Sequence, residues 1–480
     1  MRKIKNLQLE LAGTPIENIR FNPKSRDDIP AILTGLQHIY TNPQTREKLF
    51  SLLEEKFLPE VDLHTGRPGM DIWRVVVLGV LKQGLGCDYD RLHSLANSYL
   101  ELRQMLGHSS NSDNYEYGLQ TIIDNVSLLS PELLKEINSI VVESGHAVAK
   151  KKPGEGLRGR CDSFPVKTDV EYPTDVGLSR DGTRCLVREC GEAAKANEVD
   201  GWRQHRHLIS KIEKLYNRVR TKKRRDRNPG SLEEYLSVCE EMVRRADKLL
   251  CELAAVEASE WRFERISCYK THATRQIDQV RRRILYGEVI PQEEKVFSVF
   301  EPHTRWIAKG KAGVVVEFGV PVCVVEDQYQ FILNHRVMWE GSDVDVCVPI
   351  IEETKSIYPE FKACSFDQGF HSPKNRKRLE EVLEGNYLPK KGKLGKKDRE
   401  RQSEEGFVKA RAQHPAVESA INGLNHKGCD KVRVHGKEGF ARSVALSVLA
   451  ANIHRLGVLV RNREREKWRQ KLKPGFAVAA

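Results

Sequence analysis

The chain has 480 residues, 39% of them hydrophobic, which is long and apolar enough for roughly two to four domains with a large buried core and excludes a disordered polymer. Lys and Arg number 79 against 67 Asp and Glu, and the resulting charge of +12 favours a polyanionic partner, nucleic acid ahead of an acidic membrane surface. Eleven cysteines without a CxxC pair argue against a zinc ribbon or a disulfide framework; with no apolar run near the roughly 18 residues of a membrane helix and no signal-peptide core in MRKIKNLQLELAG, the expected compartment is the cytosol, with no membrane partner.

Helical apolar spacing runs through PAILTGLQHIY, TREKLFSLLEEKF, DIWRVVVLGVLKQGL, DYDRLHSLANSYLELRQMLG, NYEYGLQTIIDNV and SPELLKEINSIVVESGHAVA. Breaks fall at Asn42-Pro43, Gly66 to Gly69 and Ser109 to Asn114. Residues 1–150 therefore read as a bundle of short helices, which either packs as such or carries a helix-turn-helix DNA reader.

A basic, glycine-rich joint, KKKPGEGLRGR, leads into CDSFPVKTDVEYPTD. Asp162, Phe164, Val166 and Thr168 alternate with Ser163, Pro165 and Lys167, the pattern of a strand, while Pro165 withholds one ladder bond and points to an edge or a bulge. Of the acids here, Asp175 suits a cap or turn. Asp162 is the preferred candidate for a ligand inside the strand, with Asp169 as the alternative.

From Thr174 to Tyr286 the spacing is helical and the charge is concentrated: residues 201–290 hold 21 Lys and Arg against 13 Asp and Glu. Lys222, Lys223, Arg224, Arg225 and Arg227 flank the turn Asn228-Pro229-Gly230, and Arg281, Arg282 and Arg283 close the segment. These groups form either a solvated helical hairpin or an arm that tracks phosphates by displacing counterions.

Strand texture follows in KVFSVF, AGVVVEFGVPVCVVED and QYQFILNHRVMW, and SDVDVCVPIIEETKSIYP resumes a helix. FKACSF then predicts a strand that delivers Asp367 to a sheet edge. Gly369 allows a sharp turn, Ser372 caps the next helix with Pro373 at its first position, and Gly385 is its expected C-cap. NYLPKK reads as a short strand, KKGKLGKKDRER as a mobile basic loop, and EGFVKARAQHPAVESAINGLNHKG as a helix carrying Glu418. His303, His371, His414 and His426 lie near these motifs and are read as structural or DNA-contacting.

Acids on a first strand, a later strand and a final helix are the layout of RNase H-like DDE transposases, and the wording agrees. The chain resembles bacterial insertion-sequence transposases of the ISNCY and InsH-like kind. GRPGMDIWRVVVLGVLK with DYDRLHSLAN is similar to their N-terminal domain. CDSFPVKTDVEYPTD, FEPHTRWIAKGK, SFDQGFHSPKN, and HPAVESAINGL with HGKEGFARSVALSVLAANIHRLG are similar to successive catalytic-domain blocks.

The resemblance implies an α/β protein in which an N-terminal helical DNA-binding or assembly domain (1–150) precedes an RNase H-like mixed-sheet catalytic domain (151–190 and 291–460). A basic helical insertion (191–290) interrupts that domain, and a basic tail (461–480) ends the chain. It implies a metal-binding catalytic triad of Asp162, Asp367 and Glu418, with Asp169 as the alternative first acid, holding two Mg²⁺ ions, or Mn²⁺. Such ions activate an attacking oxygen and stabilise a leaving one in an in-line displacement at phosphorus. The implied partners are double-stranded DNA, as terminal inverted repeats and target, and further copies of the chain in a homo-oligomer, expected as a dimer. The expected DNA contacts are the basic residues above together with Lys390, Lys391 and Arg411; Arg411, seven residues before Glu418, and Lys427, nine after it, depart from the spacing of related enzymes and leave the identity of a basic helper open. The alternatives are an RNase H-like nuclease that cleaves without joining and a transposase-derived protein that only binds DNA.

Overall fold

The computed structural model describes residues 3–5, 13–57, 69–109, 114–220, 229–256, 259–308 and 316–471. Among them α1 (Asp28–Thr41), α2 (Pro43–Phe57), α3 (Ile72–Gly84), α4 (Tyr89–Ser98), α5 (Leu100–Met105), α6 (Leu119–Val126) and α7 (Pro131–Val148) precede β1 (Leu157–Thr168). Their starts are chemically marked: the side chains of Asp27, Asp88 and Ser130 accept from the first-turn amides of Ile29, Arg91 and Leu133. Next come α8 (Asp175–Ala196), α9 (His205–Arg220), α10 (Pro229–Ala255) and α11 (Glu260–Val280), which runs into a π-helical turn at Arg281–Leu285. The rest alternates: β2 (Arg305–Ala308), β3 (Val316–Asp327), β4 (Ile332–Val337), α12 (Asp343–Ile357), β5 (Phe361–Phe366), α13 (Pro373–Val382), β6 (Gly385–Tyr387), α14 (Lys396–Ser403), α15 (Glu405–Gln413), α16 (Ala416–Leu424), β7 (Lys431–Val432) and α17 (Gly436–Lys471).

The protein is thus mixed α/β. The sheet runs β2-β3-β1-β5-β6, with β4 also on β3 and β7 on β1. β1 is antiparallel to β3 from Gly159 opposite Asp327 to Lys167 opposite Gly319, and parallel to β5 up to Cys161 opposite Phe366. Pro165 faces Pro321 across the β1–β3 ladder, in the half of β1 beyond its pairing with β5. Pro165 lies beyond the stretch of β1 that pairs with β5, so its missing amide costs no bond to that strand.

Compactness divides the chain into residues 1–167 with 319–480, and 168–318. In the first unit the N-terminal helices do not stand apart from the sheet. Trp73, Leu78, Leu81 and Val142 share one core with Cys161, Phe361, Phe366 and Leu449. α17 packs on α1, α3 and α7, and a Cβ on Gly35 of α1 would run into the carbonyl oxygen of Ile453. The other sheet face, with Phe164, Val166, Val322 and Val324, is covered by Val417 and Leu424 of α16 and by Phe440 and Val448. The second unit has its own helical core around Leu186, Cys190, Ile212, Tyr235 and Ile277.

Several expectations are corrected. KVFSVF forms no strand, because the Ser298 hydroxyl accepts from the amides of Phe300 (3.2 Å) and Glu301 (3.0 Å) and bends the chain locally. The stretch after Glu405 is two helices, broken at His414-Pro415. The basic loop contains α14, anchored by Asp398, which binds Lys390 (2.5 Å) and Arg376 (2.6 Å). α13 ends at Val382, and Gly385 opens β6 instead of capping it. α17 is long and apolar enough, between Gly436 and Lys467, to cross a membrane, which the sequence reading missed; most of its apolar stretch is buried in the protein.

Candidate active site

Asp162 is the residue after Cys161 on β1, and Asp367 is the residue after Phe366 at the end of β5. Because Cys161 and Phe366 face each other on adjacent parallel strands, the two aspartates leave the sheet side by side. Along β1, Asp162 shares a face with Phe164 and Val166, and that is the face α16 covers through Val417 and Leu424. Glu418, next to Val417, is exposed on the same short helix. One strand interior, one strand end and one helix therefore bring together acids that lie far apart in sequence.

The electrostatics carry the mark of that gathering. Burial pushes the Asp162 carboxyl up to about 6, and the negative charges of Asp367, Asp343 and Glu418 push it the same way; the Ser163 amide, donating to its Oδ1 at 2.8 Å, works against both. Asp343 is the member that the sequence reading missed. It stands in the first turn of α12, accepts from Ser163 Oγ at 2.6 Å, and lies so close to the loop after Asp367 that a Cβ on Gly369 would sit 2.9 Å from its Oδ2. Gly369 does not adopt the positive φ its expected sharp turn suggested; a Cβ there would meet the end of the Asp343 side chain. The available signal was the acid in SDVD, read only as a helix start.

Two groups brace the strand end. Arg411 of α15 donates to the Phe366 carbonyl at 2.8 Å, immediately before Asp367. His414 is buried with its Nδ1 3.0 Å from Ser365 Oγ, and burial followed by the Arg411 charge holds the imidazole down at about 4, so it is neutral near pH 7. Lys427 turns away into the protein, 3.8 Å from Asp28 of α1.

The donors are the carboxylate oxygens a hard divalent cation prefers, one of them protonating more readily than an ordinary aspartate because it is buried and lies near other negative charges. Among the described residues no three His, Cys, Asp or Glu side chains are grouped closely enough to hold a metal ion.

The remaining predicted residues are distributed elsewhere. Asp169 follows the end of β1, in the second unit, where it lines a cavity of about 270 Å³ with Tyr172, Arg180 and Arg184. Arg281 binds Glu240 at 2.5 Å, Arg282 binds Glu294 at 2.6 Å and Glu288 at 2.9 Å, and Arg283 binds Asp175 at 2.8 Å. Lys390 is held by Asp398, whereas Lys391 is exposed. Lys222, Lys223, Arg224, Arg225 and Arg227 lie outside the described residues. No protein-family model, curated protein or solved structure matches this chain.

Proposed function

We propose that the chain is an RNase H-like DDE transposase that binds the terminal inverted repeats of an insertion sequence, cleaves at its ends and joins them to target DNA. The observation that supports this reading is the side-by-side placement of Asp162 and Asp367 on the parallel strands β1 and β5, with the charges of Asp367, Asp343 and Glu418 acting on the buried Asp162 carboxyl. Asp162 is preferred because the charges of Asp367 and Glu418 act on its carboxyl, while Asp169 lies beyond the end of β1 in the second unit.

Asp162, Asp367 and Glu418 are the residues that would hold Mg²⁺ or Mn²⁺, which supplies activation of the attacking oxygen and stabilisation of the leaving one. The protein's own contribution is positional. Arg411 fixes the end of β5, so that Asp367 leaves the sheet in a set direction. Asp343, bound to Ser163, adds negative charge behind the triad and raises the attraction for a cation. Exposed Lys391 and the basic cluster at 222–227 are assigned to DNA phosphates; Arg281, Arg282 and Arg283 are already paired with carboxylates, which weakens their claim on phosphate.

Two copies holding two DNA ends would make the working form a homo-oligomer. The test is a strand-transfer assay with Mg²⁺: joined products support the proposal, cleavage without joining indicates a nuclease, and DNA binding with neither indicates a binding protein.

A further inference from the structure

A cavity of about 640 Å³ lies between the α3–α4 connection and the end of α16. Its wall is fixed by backbone packing: Gly86, at φ +55°, abuts the chain near His426, where a Cβ would stand 2.7 Å from the His426 carbonyl oxygen. The volume falls within the roughly 300–1,000 Å³ of small-ligand sites, which admits a nucleotide or two but not a duplex.

Its position follows from helical spacing. Glu418, Asn422 and Asn425 stand at i, i+4 and i+7 and form one stripe along α16 and its continuation, beside the buried stripe of Val417 and Leu424. One end of the stripe is the candidate catalytic acid, and the other end lines the cavity. Among the described residues neither asparagine side chain has a hydrogen-bond partner, leaving both amides to the cavity.

The opposite wall supplies charge and a ring. Lys82 stands 4.8 Å from the centre of the Tyr89 ring. Burial holds its ammonium below the ordinary range, and the Arg433 charge pushes it the same way, so an anion in the cavity would relieve both. The two acids of the lining are already engaged: Asp88 accepts from the Arg91 amide at 2.8 Å, and Asp430 lies 3.4 Å from Lys167.

We propose that this cavity holds unpaired nucleotides of the strand whose phosphate lies at the triad, with Lys82 and Arg433 on phosphate, Asn422 and Asn425 on base edges and Tyr89 against a base. The identity of the ligand rests on the nucleic-acid reading above; its binding can be measured without chemistry. In the full-length chain without divalent ions, anisotropy of a labelled mixed-sequence single-stranded 12-mer is compared with that of the same sequence as duplex. Arg433→Ala and Asn422→Asp both alter exposed positions and leave the fold intact, as circular dichroism will verify.

Each should weaken single-strand binding about tenfold and duplex binding much less. Unchanged single-strand affinity overturns the inference, as does equal loss on duplex, which would mark a general basic surface. Cavity-dependent single-strand binding in a chain that neither cleaves nor joins DNA would overturn the transposase reading and keep this site. Cleavage and joining at equal rates in the wild type and both variants would do the reverse.

Discussion

Replacing Asp162 with Asn tests the acid cluster through stability, independently of any DNA. The folded-state carboxyl is raised from 3.8 to about 6, so the native protein holds that proton more tightly than the unfolded chain does. This contribution is fully present below pH 3.8 and is lost as pH rises toward 6; above that the ionised group costs the native state up to about 3 kcal/mol, at about 1.4 kcal/mol per pH unit. Between pH 4.5 and 7.5, with a discount for partial solvent access, the cost grows by about 1–2 kcal/mol. Asn keeps the shape and can still accept from the Ser163 amide, but it never ionises. Urea unfolding of wild type and Asp162→Asn at both pH values should therefore show the variant gaining about 1–2 kcal/mol on the wild type at pH 7.5 relative to pH 4.5. Added Mg²⁺ should stabilise the wild type and not the variant. Parallel pH dependences in the two proteins would refute the claim that Asp162 is buried among like charges.

Other perturbations separate chemistry, packing and binding. Asp367→Asn should abolish cleavage and strand transfer while end-DNA binding stays equal or tightens, read by gel shift beside a cleavage assay. Gly35→Ala forces a methyl group against the Ile453 carbonyl and should cost about 2–3 kcal/mol in urea unfolding. Gly369→Ala crowds Asp343 and should lower cleavage with a stability loss below about 2 kcal/mol. Changing Lys222, Lys223, Arg224 and Arg225 together to Ala should make the slope of log affinity against log salt shallower by up to about 3.6, alike for end and random DNA.

How much was legible follows from the range of the forces involved. β5 and the start of α13 could be read because their signals are local: alternation in FKACSF, then Ser372 as the cap, its side chain accepting from the Asn375 amide at 3.0 Å, with Pro373 behind it. Asp162 and Asp367 were found as individual residues, but their side-by-side exit depends on a parallel strand register that no local spacing encodes. Asp343 was missed for the same reason, since its partner Ser163 is 180 residues away. KVFSVF misled because a single hydroxyl, Ser298, outweighed its β propensity. Pro415 was visible and read through, although it separates the helix bearing Arg411 from the one bearing Glu418. The merging of the N-terminal helices with the sheet core rests on long-range packing, of α7 against β4 and of α17, from the far end of the chain, against α1, α3 and α7.

The most direct test of the central claim is a joining assay using DNA that flanks the coding sequence as the donor, a supercoiled plasmid as target, and Mg²⁺. The proposed function predicts 3′ ends joined to the plasmid by the wild type, and none by Asp162→Asn, Asp367→Asn or Glu418→Gln. Joining that persists in any of the three would remove that residue from the triad, and wild-type protein that binds the ends yet neither cuts nor joins them would contradict the account.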